Sequence, residues 1–444
     1  MDSPFTLVAA LPFAGLVLSI VVLSGAAPAL WARCYSWIAL AWTLTFIVPD
    51  LVHRGWRQTG FDIGVLALDQ YIPFVLLLGT LYVVAGGVRI TGTPRGTPAV
   101  NTALLGIGML LAGLVGTPGA SLLMLRPMIH ANRHRDRTAH VYVFFILLVA
   151  NVGGALSPIG NAPLLLGYLQ GVPFFWASTH LALPNFTLAA GLLATFFALE
   201  HVLRRGVRDE RTLFELEKLR IEGGINLVLL VAAVAAIVLP AFWRGSREFS
   251  VSGLPWQVSD AASDLALLLI GIASVALTAP AVRRANDFAW GPLVEVAVLF
   301  AALFVTLMPV TAMMADGAAG PFRLLYARAF AGGAPDIGLF FWATGILSAL
   351  LDNAPTYLMF FGLAGHDAAR LTGPLATTLA AISAGACYFG GLTYLGNAPN
   401  LMVRAVVESH GVPMPSFPRY TLYAAACLIP WLVVVEALYF AKGP

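Results

Sequence analysis

Three copies of Asn-Ala-Pro, at Asn161-Ala162-Pro163, Asn353-Ala354-Pro355 and Asn397-Ala398-Pro399, stand inside otherwise apolar stretches of the 444-residue chain. Where such a motif interrupts a helix, opened carbonyls and Asn oxygens can coordinate Na+, and the free N–H groups of the next half-helix attract anions. Hydroxyls gather near the same breaks, on Thr117, Ser121, Ser157, Thr356 and Thr393. Acidic residues within apolar stretches are few: Asp352, Glu295 and Glu436. A carboxylate inside a membrane is costly enough to be a functional candidate by default. Asp352 could hold a proton or a cation and exchange one for the other, or it could cap the half-helix that starts at Asn353. Glu295 and Glu436 lie nearer helix ends, where snorkelling or pairing accounts for them.

Other groups carry less. Arg126 could meet a carboxylate substrate or anchor its helix at the membrane interface. His130 and His134 have half the spacing of a metal site, with Asp136 as the one acidic neighbour, and read better as a solvated loop with His140. Cys34, Cys387 and Cys427 lie in or beside apolar segments without metal-ligand spacing and read as packing residues. No cofactor is expected, Na+ and H+ being cargo.

The elements that must position these residues are membrane helices. The chain is 59% hydrophobic and 11% charged, with a mean hydropathy of +0.84, against about a quarter charged in soluble domains. A net charge of +3 without a basic run argues against nucleic acid. The expected partners are lipid and small ions or carboxylates. The apolar run from Leu7 to Leu30 lacks a basic start and is too long for a signal peptide, so it reads as a retained first helix. Candidate crossings are 7–30, 34–50, 69–89, 138–171, 174–201, 225–243, 262–280, 292–315, 372–408 and 418–441. Two further stretches, 99–126 and 337–365, are interrupted at Gly116-Thr117-Pro118-Gly119 and at Asp352-Asn353-Ala354-Pro355. Proline removes a backbone donor and disturbs the helix before it, so both read as re-entrant hairpins. If residues 202–224 are cytoplasmic, loops on that side hold 17 of the 25 Lys and Arg residues, the expected bias for an inner-membrane protein.

An internal repeat organises the whole. Gly160-Asn161-Ala162-Pro163 recurs 236 residues later as Gly396-Asn397-Ala398-Pro399, and the same offset carries Thr117 onto Asn353. The expected fold is an all-α polytopic membrane protein with two inverted repeats, 1–201 and 225–444, joined by a linker at 202–224. Each repeat holds one re-entrant hairpin and one broken helix. Secondary transporters built this way bind their cargo at the repeat interface.

At these residues the chain resembles the ion-transporter superfamily. Ser348-Ala349-Leu350-Leu351-Asp352-Asn353-Ala354-Pro355 is similar to the Asp-Asn-x-Pro hairpin of NhaD-type sodium/proton antiporters. Gly116-Thr117-Pro118-Gly119-Ala120-Ser121, Arg126-Pro127 and Thr393-Tyr394-Leu395-Gly396-Asn397-Ala398-Pro399-Asn400 resemble the citrate transporter (citrate/proton symporter-like) family over about residues 60–441. The resemblance implies a site between hairpin tips and broken helices, elevator-like motion and a homodimer. The strict Ser-Asn-Thr pattern of the superfamily is absent, with Thr117, Asn161, Asn353 and Asn397 in its place. The leading expectation is Na+/H+ antiport, with Asp352 as carrier and Asn353, Asn397, Asn161, Thr117 and Thr393 as oxygen ligands. The alternative is transport of citrate or another carboxylate with H+ or Na+. An intramembrane enzyme fits poorly, because no second catalytic group accompanies Asp352.

Overall fold

In the computed structural model the described residues are 5–91, 95–135, 137–203, 220–243, 248–251, 253–286 and 288–441. Asp136 and linker residues 204–219 lie outside them. Among the described residues seven helical stretches are long and apolar enough to cross a membrane, and four shorter apolar helices accompany them. This is a multi-pass membrane protein. Two small antiparallel strand pairs were not expected from sequence: Arg89–Thr91 with Arg220–Glu222, and Glu248–Val251 with Leu254–Gln257.

The segment 51–68, which lies between two expected crossings, is helical. Pro28–Leu66 runs on through it with one reversal at Gly55, whose φ of 82° favours glycine. The polar residues here satisfy one another across that reversal. Arg54 donates to Asp50 and Asp62 at 2.6 Å each, and Thr59 donates to Asp50 at 2.7 Å. Charges paired in this way need no loop to reach water.

Ile72–Ala85, Val258–Leu277 and Gly291–Ala315 form a supporting wall. Thr80 donates to the Leu267 carbonyl at 2.9 Å, and the Phe74 ring stacks on Phe300 with centroids 4.6 Å apart. Near these helix ends the Arg283 guanidinium donates to the carbonyls of Val83 and Ser274, both at 2.9 Å.

Two helical hairpins stand beside this wall. Pro98–Val115 turns at Gly116 into Thr117–Asn132, and Ile337–Leu351 turns at Asp352 into Asn353–Leu363. The arms of each lie side by side: a Cβ at Gly108 would meet Met124 at 3.4 Å, and the Phe340 and Phe360 rings stand 6.3 Å apart. Prolines do not make these breaks, contrary to the sequence reading. Pro118 and Pro355 sit in the first turn of the second arm, where a missing N–H costs nothing. The break itself is one left-handed residue, Gly116 (φ 79°, ψ 152°) or Asp352 (φ 78°, ψ 148°).

The two broken helices also match locally. Ala139–Leu148 passes through a short 3-10 turn, Val152–Leu156, into Ala162–Leu169. Ala376–Phe389 passes through Gly390–Leu392 into Ala398–Ser409. In one, Ser157 Oγ donates to the Gly113 carbonyl and accepts from Gly160 N–H at 3.1 Å. In the other, Thr393 Oγ1 donates to Ala349 at 2.6 Å and accepts from Gly396 N–H at 3.1 Å. Every partner is displaced by the same 236 positions, so the sequence repeat is also a repeat of hydrogen bonds.

Near the base of the first hairpin a fully buried carboxylate, Glu200, receives two bonds from Arg135 at 2.7 and 2.8 Å and one from Asn101 at 2.7 Å. Removing one partner of a buried ion pair strands the other charge, at a cost of about 3–5 kcal/mol. Arg135→Ala should therefore lower stability by about that amount, read as a marked fall in the thermal unfolding midpoint in detergent. A midpoint unchanged from wild type would show that Arg135 is not needed to hold Glu200 in place.

Candidate functional site

The hairpin tips and helix breaks meet at one cavity of about 650 Å³, including its open mouth. Gly116, Thr117, Pro118 and Gly119 line it from the first hairpin, and Asp352 and Asn353 from the second. The first broken helix adds Pro158 to Ala162, and the second adds Asn397, Ala398 and Pro399. Opposite them stands an apolar wall that includes Phe74, Leu81, Tyr82 and Phe300.

Four half-helices therefore begin at this cavity: Thr117–Asn132, Ala162–Leu169, Asn353–Leu363 and Ala398–Ser409. Each has Pro within its first turn, Pro118, Pro163, Pro355 or Pro399, which presets the backbone for a helical start. Asn161 caps the second of these, its Oδ1 accepting from Ala162 N–H at 3.0 Å. Asp352 caps the third, its Oδ1 accepting from Ala354 N–H at 3.1 Å. The capping role weighed from sequence is present, and it holds the carboxylate at the cavity wall.

The amides join the two halves. Asn353 Nδ2 donates to Asn161 Oδ1 at 3.0 Å. Because the Ala162 N–H already requires an oxygen at that position of Asn161, the amide orientations are set by chemistry. Both amides are buried; Asn353 Oδ1 has no protein partner, and the Asn161 side chain lies against the Cys387 thiol. Asn397 differs from its counterpart Asn161: its Nδ2 donates to the Ala150 carbonyl at 2.8 Å. Behind it, Asn151 Nδ2 donates to Asn400 Oδ1 at 2.8 Å, and Asn400 Nδ2 donates to Gly390 and Thr393 carbonyls at 2.8 and 2.9 Å.

Of the candidate residues, Asp352, Asn353, Asn161, Asn397 and Thr117 line the cavity. Ser121, Ser157, Thr356, Thr393 and Arg126 are not among its lining residues. Ser157 and Thr393 are committed to backbone on both sides of their hydroxyls, and Thr356 Oγ1 donates to the Asp352 carbonyl at 2.8 Å. These hydroxyls bond to backbone at the breaks. Ser121 Oγ is fully buried without a partner. Arg126, partly buried, lies nine residues along its helix from Thr117, about 13 Å at 1.5 Å per residue. Glu295 is accounted for elsewhere, accepting from the Trp31 indole at 2.8 Å.

The sequence reading missed Asn151 and the aromatic wall. Asn151 could have been found by the criterion that picked Asn161, a polar amide within an apolar run. Phe74 and Phe300 carried no such sign, because an apolar residue facing a cavity and one facing lipid look alike in sequence.

The family described as "Putative citrate transport" matches residues 2–440 of the chain. A search of curated proteins finds no match. A cavity bounded by broken helices in a multi-pass membrane chain and a family match over nearly its whole length agree: the protein belongs to this citrate transport family and is a membrane transporter.

Proposed function

We propose that the protein carries citrate or a related carboxylate across a bacterial-type inner membrane, coupled to H+ or Na+. The observation that carries this reading is the family match over residues 2–440, beside a cavity where four helices start and whose one charged lining residue is Asp352. Each helix N-terminus is equivalent to roughly +0.5 charge. Four of them present N–H groups to an anion, while the helix ends at the same breaks, such as Val115 and Leu351, present carbonyls of opposite partial charge. The family description supports the same cargo. Asp352 and the oxygens of Asn353 and Asn397 are the groups suited to the coupling cation.

In this account the two halves are inverted repeats, the hairpins are re-entrant, and the cavity is offered to each side in turn as the protein works, as a homodimer. Na+/H+ antiport at Asp352 is the second reading, favoured by the carboxylate standing beside two Asn side chains. It ranks lower because the family description names citrate. Radiolabelled citrate uptake into proteoliposomes separates the two. Uptake that accumulates under an imposed proton or Na+ gradient, and is competed by unlabelled carboxylates, is the expected result. No uptake under any gradient, with Na+ alone moving protons, would replace it with antiport.

A further inference from the structure

Two of the four half-helices that begin at the cavity, Thr117–Asn132 from the first half and Ala398–Ser409 from the second, pack beside each other. Arg126, His130 and Arg133 follow one another towards the end of the first at four- and three-residue spacing, so they share one face. His410 closes the second. The charges acting on His130 are those of Arg133, Arg126, His410 and Arg89, so the two helix ends meet in one basic cluster. His130, Arg133 and His410 are exposed, and Arg126 is partly buried. Three acidic residues of the surrounding elements each hold an arginine of their own: Glu408 accepts from Arg404 at 3.0 Å, Glu222 from Arg89 at 3.1 Å and Glu200 from Arg135 at 2.7 Å.

The internal repeat shows that the breaks do not require this cluster. The other two half-helices, Ala162–Leu169 and Asn353–Leu363, also pack on each other, and a Cβ at Gly167 would run into the Tyr357 ring. At or just beyond their ends, 236 positions away, they carry Gly362, His366, Ala369 and Phe174 in place of Arg126, His130, Arg133 and His410. One arginine, Arg370, follows there beside Asp367. A cation is favoured at any helix C-terminus, but that holds equally for the pair that lacks the cluster.

We propose that Arg126, His130, Arg133 and His410 form a collecting site for di- and tricarboxylates on the membrane face where these two half-helices end. This rests on the reading of the cargo as a carboxylate. A guanidinium fork matches a carboxylate and stays charged at every working pH, and the imidazoles add hydrogen bonds. A charged mouth raises the local concentration of an oppositely charged solute and its rate of entry. Arg126 stands about 13 Å along its helix from Thr117, so cargo held by the cluster has still to reach the cavity. Entry from this face is therefore assisted at low cargo concentration, and entry from the other face is not.

The bias of Lys and Arg makes this the cytoplasmic face, outward in everted membrane vesicles and inward in right-side-out ones. In everted vesicles at low ionic strength, with the driving gradient imposed, Arg126→Gln combined with Arg133→Gln should raise the KM for citrate about fivefold or more. The maximum rate should stay within about twofold and the KM in right-side-out vesicles should not change. Lysine at both positions should restore most of the loss, and about 1 M KCl should close the gap, the Debye length then being about 3 Å. Arg133→Glu alone, at an exposed position, should shift the KM in the same direction and decides the matter if the double variant does not fold. An unchanged KM in everted vesicles for both variants would overturn the site. So would an equal rise in both vesicle orientations, which would point to altered structure, or a difference that vanishes in neutral phosphatidylcholine, which would assign the arginines to lipid headgroups. No citrate uptake by the wild type in either orientation would overturn the cargo reading, and the collecting site with it.

Discussion

Asp352→Gly is expected to abolish coupled transport while leaving the protein at least as stable as Asp352→Ala. Asp352 has φ 78° and ψ 148°, a region that is essentially restricted to glycine. Holding another residue there costs about 1–3 kcal/mol. The first hairpin makes the same turn with Gly116, at φ 79° and ψ 152°, so the turn itself needs no carboxylate. Glycine at 352 removes the strain and loses a cap worth about 1 kcal/mol. Alanine loses the cap and keeps the strain, so Gly should be the more stable variant by about 1–2 kcal/mol. Both should lose gradient-driven uptake by a hundredfold or more, if the carboxylate is the coupling group. Thermal unfolding in detergent and uptake in proteoliposomes read the two effects separately. A Gly variant that transports normally would show that Asp352 does not couple. A Gly variant less stable than Ala would show that the strain is not real.

The second large effect is expected at Gly160. A Cβ there would stand 2.3 Å from the Gly154 carbonyl oxygen, and at its counterpart Gly396 one would stand 2.6 Å from that of Gly390. Backbone cannot move aside as a side chain can, so Gly160→Ala must open the crossing between the 3-10 turn and the following half-helix. Overpacking of this kind costs about 3 kcal/mol, and it displaces Asn161 and the Thr117 N–H that donates to the Gly160 carbonyl at 3.0 Å. The expected outcome is loss of both folded yield and transport. Gly332→Ala, where a Cβ would meet nothing within 4 Å, is the control and should behave as wild type. Normal folding and uptake in Gly160→Ala would mean that the crossing is looser than described.

Much of the site was legible because the bilayer makes polar interruptions expensive, so an Asn-Ala-Pro inside an apolar run stands out. Its recurrence 236 residues later linked four distant segments before any fold was known. What was not legible is how the breaks are made. Proline drew attention to Pro118 and Pro355, yet the turns are carried by Gly116 and Asp352. Hydroxyl position was equally hidden. Ser157 and Thr393 sit beside the breaks in sequence but spend their oxygens on backbone, whereas Thr344, two turns from Asp352, does not. The helical stretch 51–68 fell outside the expected crossings, and the mutual pairing of its charges through Arg54 appears only in three dimensions. The same uncertainty governs cargo. The carboxylate at Asp352 suggested a cation exchanger, and the four helix starts whose N–H groups suit an anion become apparent only when all four are seen to share one cavity.

The most direct test of the account is proton flux in proteoliposomes with a trapped pH dye, adding Na+, Li+ and K+ and then citrate. The account predicts that, with the driving gradient imposed, citrate elicits a dye response that Asp352→Gly lacks, whereas the cations alone leave the dye unchanged. Alkalinisation of an acid-loaded lumen on adding Na+ alone, with no response to citrate, would contradict it and identify the protein as a cation/proton exchanger.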